Sequence, residues 1–520
     1  MTSPPTPRGV RGLQRLPAWV LETGLALGGG VAWAFAFGRQ GMLFMPWVAL
    51  APLLLLLGRH RPWLLGWLWG MATWCAAIPW ITHVLRVYGE LPWIVAVFCL
   101  LLLATYLALY PALFAGLGAR LWRPVGARGG LVLPLVVLPA LWVALEWLRT
   151  HLFSGFPWNL AGYAWVDVPG ALPLSAWIGV YGVSYLVLFA NTGVALAVDR
   201  RRWEPAMLGL LLPLVLLAAG SRWGEGPPTF TGSEPDPVRL LQPNIENQLR
   251  PEATTIEANT RKVLAMTEEA CEPGALVVLP ESSFWPHVFA TDAPLRWNLR
   301  RIVERGGCTL LFNSIEPVVG ASGAATGYHN SVYLLAAEGL QGRYDKRHLV
   351  PFGEYVPLSG VFAFLDTIAR NAGAFVPGDE VRLLDWGKER LGVAICFEIT
   401  FPFDVAELVR AGATVLVTVT NDAWYGDSWA PWQHLRAARF RAAESRRPLL
   451  RAAITGVTAM VTADGAVRGS VELYRVSVIR GRVSGRIDLS PASRWPWVTP
   501  LLCTVLALAG LAFAIIVRRR

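Results

Sequence analysis

Lysine is nearly absent from this chain. Of its 46 basic residues only Lys262, Lys346 and Lys388 are lysines, and the other 43 are arginines. Charge is scarce overall: Asp, Glu, Lys and Arg supply 16 % of residues against 54 % hydrophobic. That balance is too apolar for an ordinary soluble enzyme. Metal-ligand patterns are also missing. The seven histidines make no HExxH, and no two cysteines stand as CxxC, so no metal is expected. There is no Walker A loop and no GxGxxG behind a strand, and no cofactor is expected. No internal repeat or low-complexity tract is present.

Long apolar runs are plentiful. Eight are long enough to be read as bilayer spans, at about 18–37, 42–58, 63–83, 91–117, 131–148, 171–198, 205–221 and 497–517. The runs at 91–117 and 171–198 are long enough to tilt or to include interfacial turns. The first follows Arg8, Arg11 and Arg15 but has no clear small-x-small cleavage site, so it reads as a retained helix rather than a signal peptide. Alternate loops carry arginine clusters: 8, 11 and 15; 59 and 61; 120, 123 and 128; 200 to 202; 518 to 520. The intervening short loops hold only Arg39, Arg86 and Arg149. By the positive-inside rule both termini are expected in the cytoplasm and residues 222–496 outside it. The clusters then explain the net charge of +10 as topology anchors, and nothing calls for nucleic acid. Many of the 25 tryptophans, among them Trp203, Trp223, Trp495 and Trp497, stand at span ends, as an interfacial aromatic belt requires. Glu146 and Arg149, near one span end, are expected to form a structural pair.

At 520 residues the chain should hold more than one domain. The expected division is a seven-span region at 1–221, an external domain at 222–496 and a last helix with a basic tail at 497–520. The external part opens on the breaker-rich Gly224-Glu225-Gly226-Pro227-Pro228. Strand-like runs at 238–241, 275–279, 309–312, 331–335, 391–396 and 414–420 alternate with helical stretches near 254–270, 294–305, 403–411 and 431–446. This alternation predicts an α/β domain, and the continuous apolar strands predict a sheet covered on both faces.

Three residues with chemistry follow such runs. Glu281 stands just beyond Ala275–Leu279, although a lone glutamate there is more often solvated or a helix cap. Lys346 lies in a segment dense in Pro, Gly and aromatics, Tyr344 to Pro357, which favours an ordered loop over a solvated cluster. Cys396 ends Leu391–Ile395, where a buried structural thiol is the commoner role. An exported thiol, however, is exposed to oxidation. Of Cys271, Cys308 and Cys396, at least one must stay unpaired; a Cys271–Cys308 bridge would leave Cys396 free. As a set, the three can act as acid/base, cation and nucleophile. The ammonium would lower the thiol pKa, the carboxylate would move its proton, and the lysine with the N–H after the cysteine would hold an oxyanion. An ammonium can also lose its proton when buried, which a guanidinium cannot.

The Leu-Pro-Glu281, Tyr-Asp-Lys346 and Ile-Cys396-Phe-Glu motifs resemble the nitrilase superfamily, over about residues 236–488. Asn421–Gly426 and Arg447–Ala452 strengthen the likeness. With His348–Pro357, Pro431–His434, the multispan region and its Gly155-Phe156-Pro157-Trp158, the whole chain looks like the bacterial apolipoprotein N-acyltransferase family. That resemblance implies an α-β-β-α sandwich joined to an α-helical polytopic region in the bacterial inner membrane, with the catalytic domain periplasmic. It implies a ping-pong transfer through a cysteine thioester. The donor is a phospholipid, typically phosphatidylethanolamine, and the acceptor is the N-terminal α-amine of a diacylated apolipoprotein. By motif, Glu281 is the general base, Lys346 the oxyanion and thiolate stabiliser, and Cys396 the nucleophile. Glu354 and Glu398 match supporting acids, and Trp424 and Phe397 match substrate-contacting aromatics. Phe397 stands where the family pattern has tyrosine, and Pro251 stands near an expected tryptophan. An apolar loop at 354–377 reads as a lid dipping toward lipid. A monomer suffices for this chemistry. The competing enzyme is a membrane-tethered amidase hydrolysing a small C–N bond, for which eight spans are an excessive anchor. A transporter or scaffold with a degenerate domain is disfavoured by the intact trio.

Overall fold

The computed structural model describes residues 17–39, 42–122, 130–223, 228–245, 251–320, 323–355 and 375–519. The first part is helical: α1 (Ala18–Phe35), α2 (Ala51–Leu56), α3 (Pro62–Ala77), α4 (Trp80–Val87), α5 (Trp93–Trp122), α6 (Val132–His151), α7 (Ala171–Arg200) and α8 (Glu204–Trp223). Among the described residues six helices are long and apolar enough to cross a membrane: α1, α5, α6, α7, α8 and the final helix. The pair α3–α4, bent by 56°, makes a seventh if counted as one span. Exposed Phe98, Leu102, Val198, Val215, Leu502 and Phe513 line these helices, as expected of surfaces that meet lipid rather than water.

The span expected at 42–58 is a correction. In place of a continuous helix the chain makes a 3₁₀ turn, Met45–Trp47, and the six-residue α2. The cause is a side chain in the ladder. In an α-helix the Leu50 N–H would bond to the Pro46 carbonyl four residues back. Here Asn191 of α7 takes both: its Oδ1 accepts from Leu50 N at 2.9 Å and its Nδ2 donates to Pro46 O at 2.9 Å. An inserted amide breaks the helix. Gly58, just beyond α2, lies against Trp122 at the end of α5.

The long α7 is also interrupted. Gly179 has φ +68° and ψ 173°, a backbone open to glycine and strained for any residue with a Cβ. The Val180 N–H freed by the break donates to Glu444. Glu146 and Arg149 serve the neighbouring loop rather than pairing directly: Glu146 accepts from Ala161 N at 2.7 Å, and Arg149 donates to Trp158 O at 2.8 Å.

The second part runs β1 (Asp236–Gln242), α9 (Ala253–Ala270), β2 (Leu276–Val278), α10 (Ala293–Gly306), β3 (Thr309–Val319), β4 (Ala325–Ala336), β5 (Gly339–Asp345), β6 (Leu384–Trp386), β7 (Glu389–Ile395), α11 (Pro402–Arg410) and β8 (Val415–Thr420). It continues with α12 (Ala430–Ser445), β9 (Leu449–Ala453), β10 (Thr458–Val461), β11 (Val467–Val471), β12 (Ser477–Val483) and α13 (Pro491–Arg494). The last helix, α14 (Val498–Arg519), returns to the bundle, where Gly510 packs against Val137 of α6.

The strands form two six-stranded sheets, ordered β12-β1-β2-β3-β4-β5 and β11-β10-β9-β8-β7-β6. Val238, Leu240, Leu276 and Val332 of one sheet pack face to face with Val393, Ile395, Val417 and Leu450 of the other. Helices α9 and α10 cover the first sheet through Val263, Leu295 and Leu299. Helices α11 and α12 cover the second through Val405, Leu408, Leu435 and Ala438. This is the expected α-β-β-α sandwich. Cys271 and Cys308 are bridged, with Cα atoms 5.2 Å apart, and Cys396 is free.

Helix α12 joins the two parts. Gln433 Oε1 accepts from Trp158 Nε1 at 2.7 Å and from Trp80 Nε1 at 3.3 Å, while its Nε2 donates to Ala77 O at 2.9 Å. Arg436 donates to Ala36 O at 3.0 Å and Gly38 O at 2.7 Å. Arg441 lies 2.6 Å from the Glu444 carboxylate without a well-directed hydrogen bond, so that attraction is chiefly one of charge.

Candidate active site

Strands β1–β2–β3 run parallel, as do β7–β8–β9. The carboxyl ends of parallel strands are where functional groups collect in α/β sheets. Glu281 follows β2, Cys396 follows β7, and Thr420 and Asn421 close β8; Lys346 follows β5. The structure thus brings the three expected residues into one buried cluster, in which Glu281 and Lys346 feel each other's charge and both act on Cys396.

Lys346 is only 1 % exposed. Its Nζ donates to Glu354 Oε1 at 2.9 Å and lies 3.9 Å from Glu281 Oε1, so the nearer partner is the residue first read as supporting. Asn330 of β4 spans both carboxylates: its Nδ2 donates to Glu281 Oε1 at 2.9 Å and to Glu354 Oε1 at 2.8 Å. Its orientation is fixed from behind, since Asn313 Nδ2 of β3 donates to Asn330 Oδ1 at 2.6 Å. Glu281 Oε2 accepts from Asn421 N at 3.0 Å, and Glu354 Oε2 from Val350 N at 2.8 Å.

Burial dominates the electrostatics. It raises the Glu281 carboxyl, and the Lys346 charge only partly offsets it. For Lys346 burial favours the neutral amine, but Glu354 and Glu281 outweigh it and hold the ammonium protonated. Burial and then the Glu281 charge push the Cys396 thiol up to about 12, against the pull of Lys346. From sequence, the ammonium is expected to lower this pKa. The pull is present, but desolvation wins. The resting sulfur is a thiol, and a base must take its proton during attack.

Cys396 has φ +51°, a left-handed conformation that costs a non-glycine residue about 1–3 kcal/mol and needs support from its surroundings. Glu398 supplies part of that support. Its carboxylate accepts from Ile395 N at 2.7 Å, Arg347 N at 2.7 Å, His348 N at 3.1 Å and Tyr344 Oη at 3.0 Å. One side chain so ties the turn carrying Cys396 to the loop carrying Lys346. In Glu398→Gln the amide has one acceptor oxygen, so a buried N–H loses its partner, at about 1–3 kcal/mol. The expected result is a lower unfolding midpoint in detergent and an acylation rate down about 10²-fold from misplacement of Lys346.

Residues 29–193 match the family model described as the apolipoprotein N-acyltransferase N-terminal domain, and residues 238–479 match the carbon-nitrogen hydrolase model. The apolipoprotein N-acyltransferase of Geobacter metallireducens is 37 % identical over 474 residues, which is 88 % of either chain. That of Methylococcus capsulatus is 34 % identical over 523 residues, 95 % of this chain and 96 % of the relative. The chain belongs to the apolipoprotein N-acyltransferase family. A nitrilase-superfamily structure from Saccharomyces cerevisiae aligns with 53 % of this chain and 98 % of its own, at 17 % identity and a TM-score of 0.38.

As an apolipoprotein N-acyltransferase family member with long apolar helices, this is a bacterial membrane protein. Phe397 lies where the site meets the bundle. It is buried, with ring centroids 5.0 Å from Phe401 and 6.4 Å from Trp158, and it joins an apolar cluster with Trp74, Ile78, Leu100 and Leu107. Trp424 is half-buried, its ring centroid 4.1 Å from that of Tyr88. Pro251 is described, but residues 246–250 are not, and 356–374 of the proposed lid also lie outside the described residues. Among the described residues no group of three His, Cys, Asp or Glu side chains is placed to hold a metal ion. Sequence reasoning missed Asn330 and Asn313. The one available signal was an Asn-Ser pair in each of two strands, Asn313-Ser314 and Asn330-Ser331.

Proposed function

We propose that this protein moves an acyl chain from a phospholipid to Cys396, and from there to the N-terminal α-amine of the diacylglyceryl-cysteine of an apolipoprotein. The observation that carries this reading is a buried thiol clustered with a carboxylate and an ammonium, next to Phe397, which packs into an apolar cluster of the helical bundle. Family membership supports the two substrate classes.

The geometry supports the following steps. Glu281 takes the Sγ proton as sulfur attacks the ester carbonyl. Negative charge develops on that oxygen, and Lys346 Nζ with the N–H after the nucleophile stabilises it. The C–O bond breaks, Glu281 returns the proton to the leaving alkoxide, and a lysophospholipid departs. The acceptor amine then attacks the thioester, Glu281 takes its proton, and the thiol is regenerated as the amide forms. Two easier steps replace one difficult one, and an apolar surrounding protects the thioester from water.

Phosphatidylethanolamine is the donor this reading favours, and one protomer suffices. The arginine clusters support a cytoplasmic location for both termini and a periplasmic one for the catalytic domain. The Cys271–Cys308 bridge supports the same side, because disulfides persist in oxidising compartments. The working division is 1–221, 222–496 and 497–520.

Incubating the purified protein with phosphatidylethanolamine alone tests this. Intact-protein mass spectrometry is expected to show one acyl chain added, labile to hydroxylamine and absent from Cys396→Ala. No adduct, in a preparation that hydrolyses small amides, would favour a tethered amidase instead.

A further inference from the structure

Behind Cys396 lies a second buried cluster that the mechanism above does not use. His434 and Arg451 are fully buried and Asp422 is 1 % exposed. Arg451 Nη2 donates to Asp422 Oδ2 at 2.6 Å and sits 3.3 Å from His434 Nδ1. The other ring nitrogen, His434 Nε2, is 3.0 Å from the carbonyl oxygen of Cys396. The ring also stacks on Trp158, with centroids 5.7 Å apart.

The ring is held at both nitrogens. Nδ1 lies between the Arg451 guanidinium and Asp422 Oδ1, the latter 3.4 Å away. A carbonyl oxygen only accepts, so Nε2 carries the hydrogen and donates. Burial and then the Arg451 charge also favour the neutral ring. This bond holds the peptide unit that follows Cys396, a residue at φ +51°, while Glu398 holds the N–H of the preceding residue, Ile395.

We propose that His434 is a positioning residue for acyl transfer: its Nε2–H holds the Cys396 carbonyl and thereby keeps the nucleophile in its left-handed turn. Asp422 and Arg451 brace the ring from its other nitrogen, Nδ1. The inference rests on Cys396 being the nucleophile of the reading above.

The pair His434→Gln and His434→Asn tests it. Glutamine places an amide nitrogen near the position of Nε2 and can still donate to the carbonyl. Asparagine reaches only the position of Nδ1. Single-turnover thioester formation from phosphatidylethanolamine is read by intact mass. The glutamine variant is expected to stay within about threefold of wild type. The asparagine variant is expected to fall about 10- to 100-fold, the scale of a misplaced reacting group, with half-saturation by lipid unchanged. Both variants at the wild-type rate, both reduced equally, or the reverse order would each overturn the proposal. Absence of any adduct on the wild-type protein would instead overturn the reading of Cys396 on which it rests.

Discussion

Glu281→Gln is expected to slow thioester formation by at least about 10²-fold, the usual contribution of a positioned general base. Cys396 is pushed up to about 12, so almost no thiolate exists at neutral pH and sulfur depends on a neighbour to remove its proton. The pH profile separates this account from one that relies on standing thiolate. Burial raises Glu281, so its basic form is lost as pH falls through a value above the ordinary carboxylate range. The wild-type rate should rise through that point and then stay level for as long as the thiol remains protonated. In the glutamine variant the first rise should vanish, leaving a rate that climbs about tenfold per pH unit with the thiolate fraction. Single-turnover acylation followed by mass from pH 5 to 10 measures both. An unchanged profile in the variant would sink the base assignment. Stability needs a separate reading: Glu281 accepts from Asn330 and Asn421 on different oxygens, and an amide satisfies only one, at about 1–3 kcal/mol.

Glu281 and Cys396 were legible in sequence because each follows a central strand, and central strands of a covered sheet are unbroken apolar runs; Lys346, beyond the edge strand β5, was legible through the chain's scarcity of lysine. Sequence reasoning overlooked six strands, and all but the central β9 sit further out. β11 and β12 are largely exposed and carry Arg468, Arg480 and Arg482, so they read as loop. β5 holds Gly339, Gln341, Gly342 and Arg343 at the edge of its sheet. What remained hidden is tertiary. The runs 42–58 and 131–148 look alike as apolar text, and only the second is one helix. The difference lies in Asn191, more than a hundred residues away, which intercepts a single turn. Asn330 was invisible for a related reason: its role exists only once β2, β4 and the 346–354 loop are neighbours. The thiol pKa erred in the same direction, since spacing shows a nearby cation but not the depth of burial around it.

Lys346→Met should cost most of all, because one ammonium serves three groups. It donates to Glu354, faces Glu281 and acts on Cys396. Without it two carboxylates share a buried site through the single amide of Asn330, and breaking such a pair costs about 3–5 kcal/mol. The oxyanion also loses its cation, worth about 10²–10³ in rate for a preorganised donor. Thioester formation is therefore expected to fall below detection, together with a lower unfolding midpoint. Lys346→Arg separates these effects. It keeps the charge, so the carboxylates stay paired and the midpoint should recover most of its loss. Yet the site is closed around a group 1 % exposed, and a planar fork matches Glu354 with two donors rather than leaving one charge free to turn toward substrate. The arginine variant should thus be folded and still about 10²-fold slow in acylation. A folded arginine variant at the wild-type rate would mean that fixed charge is enough, and that the chain's scarce lysine stands at 346 for a reason other than the shape and reach of its ammonium.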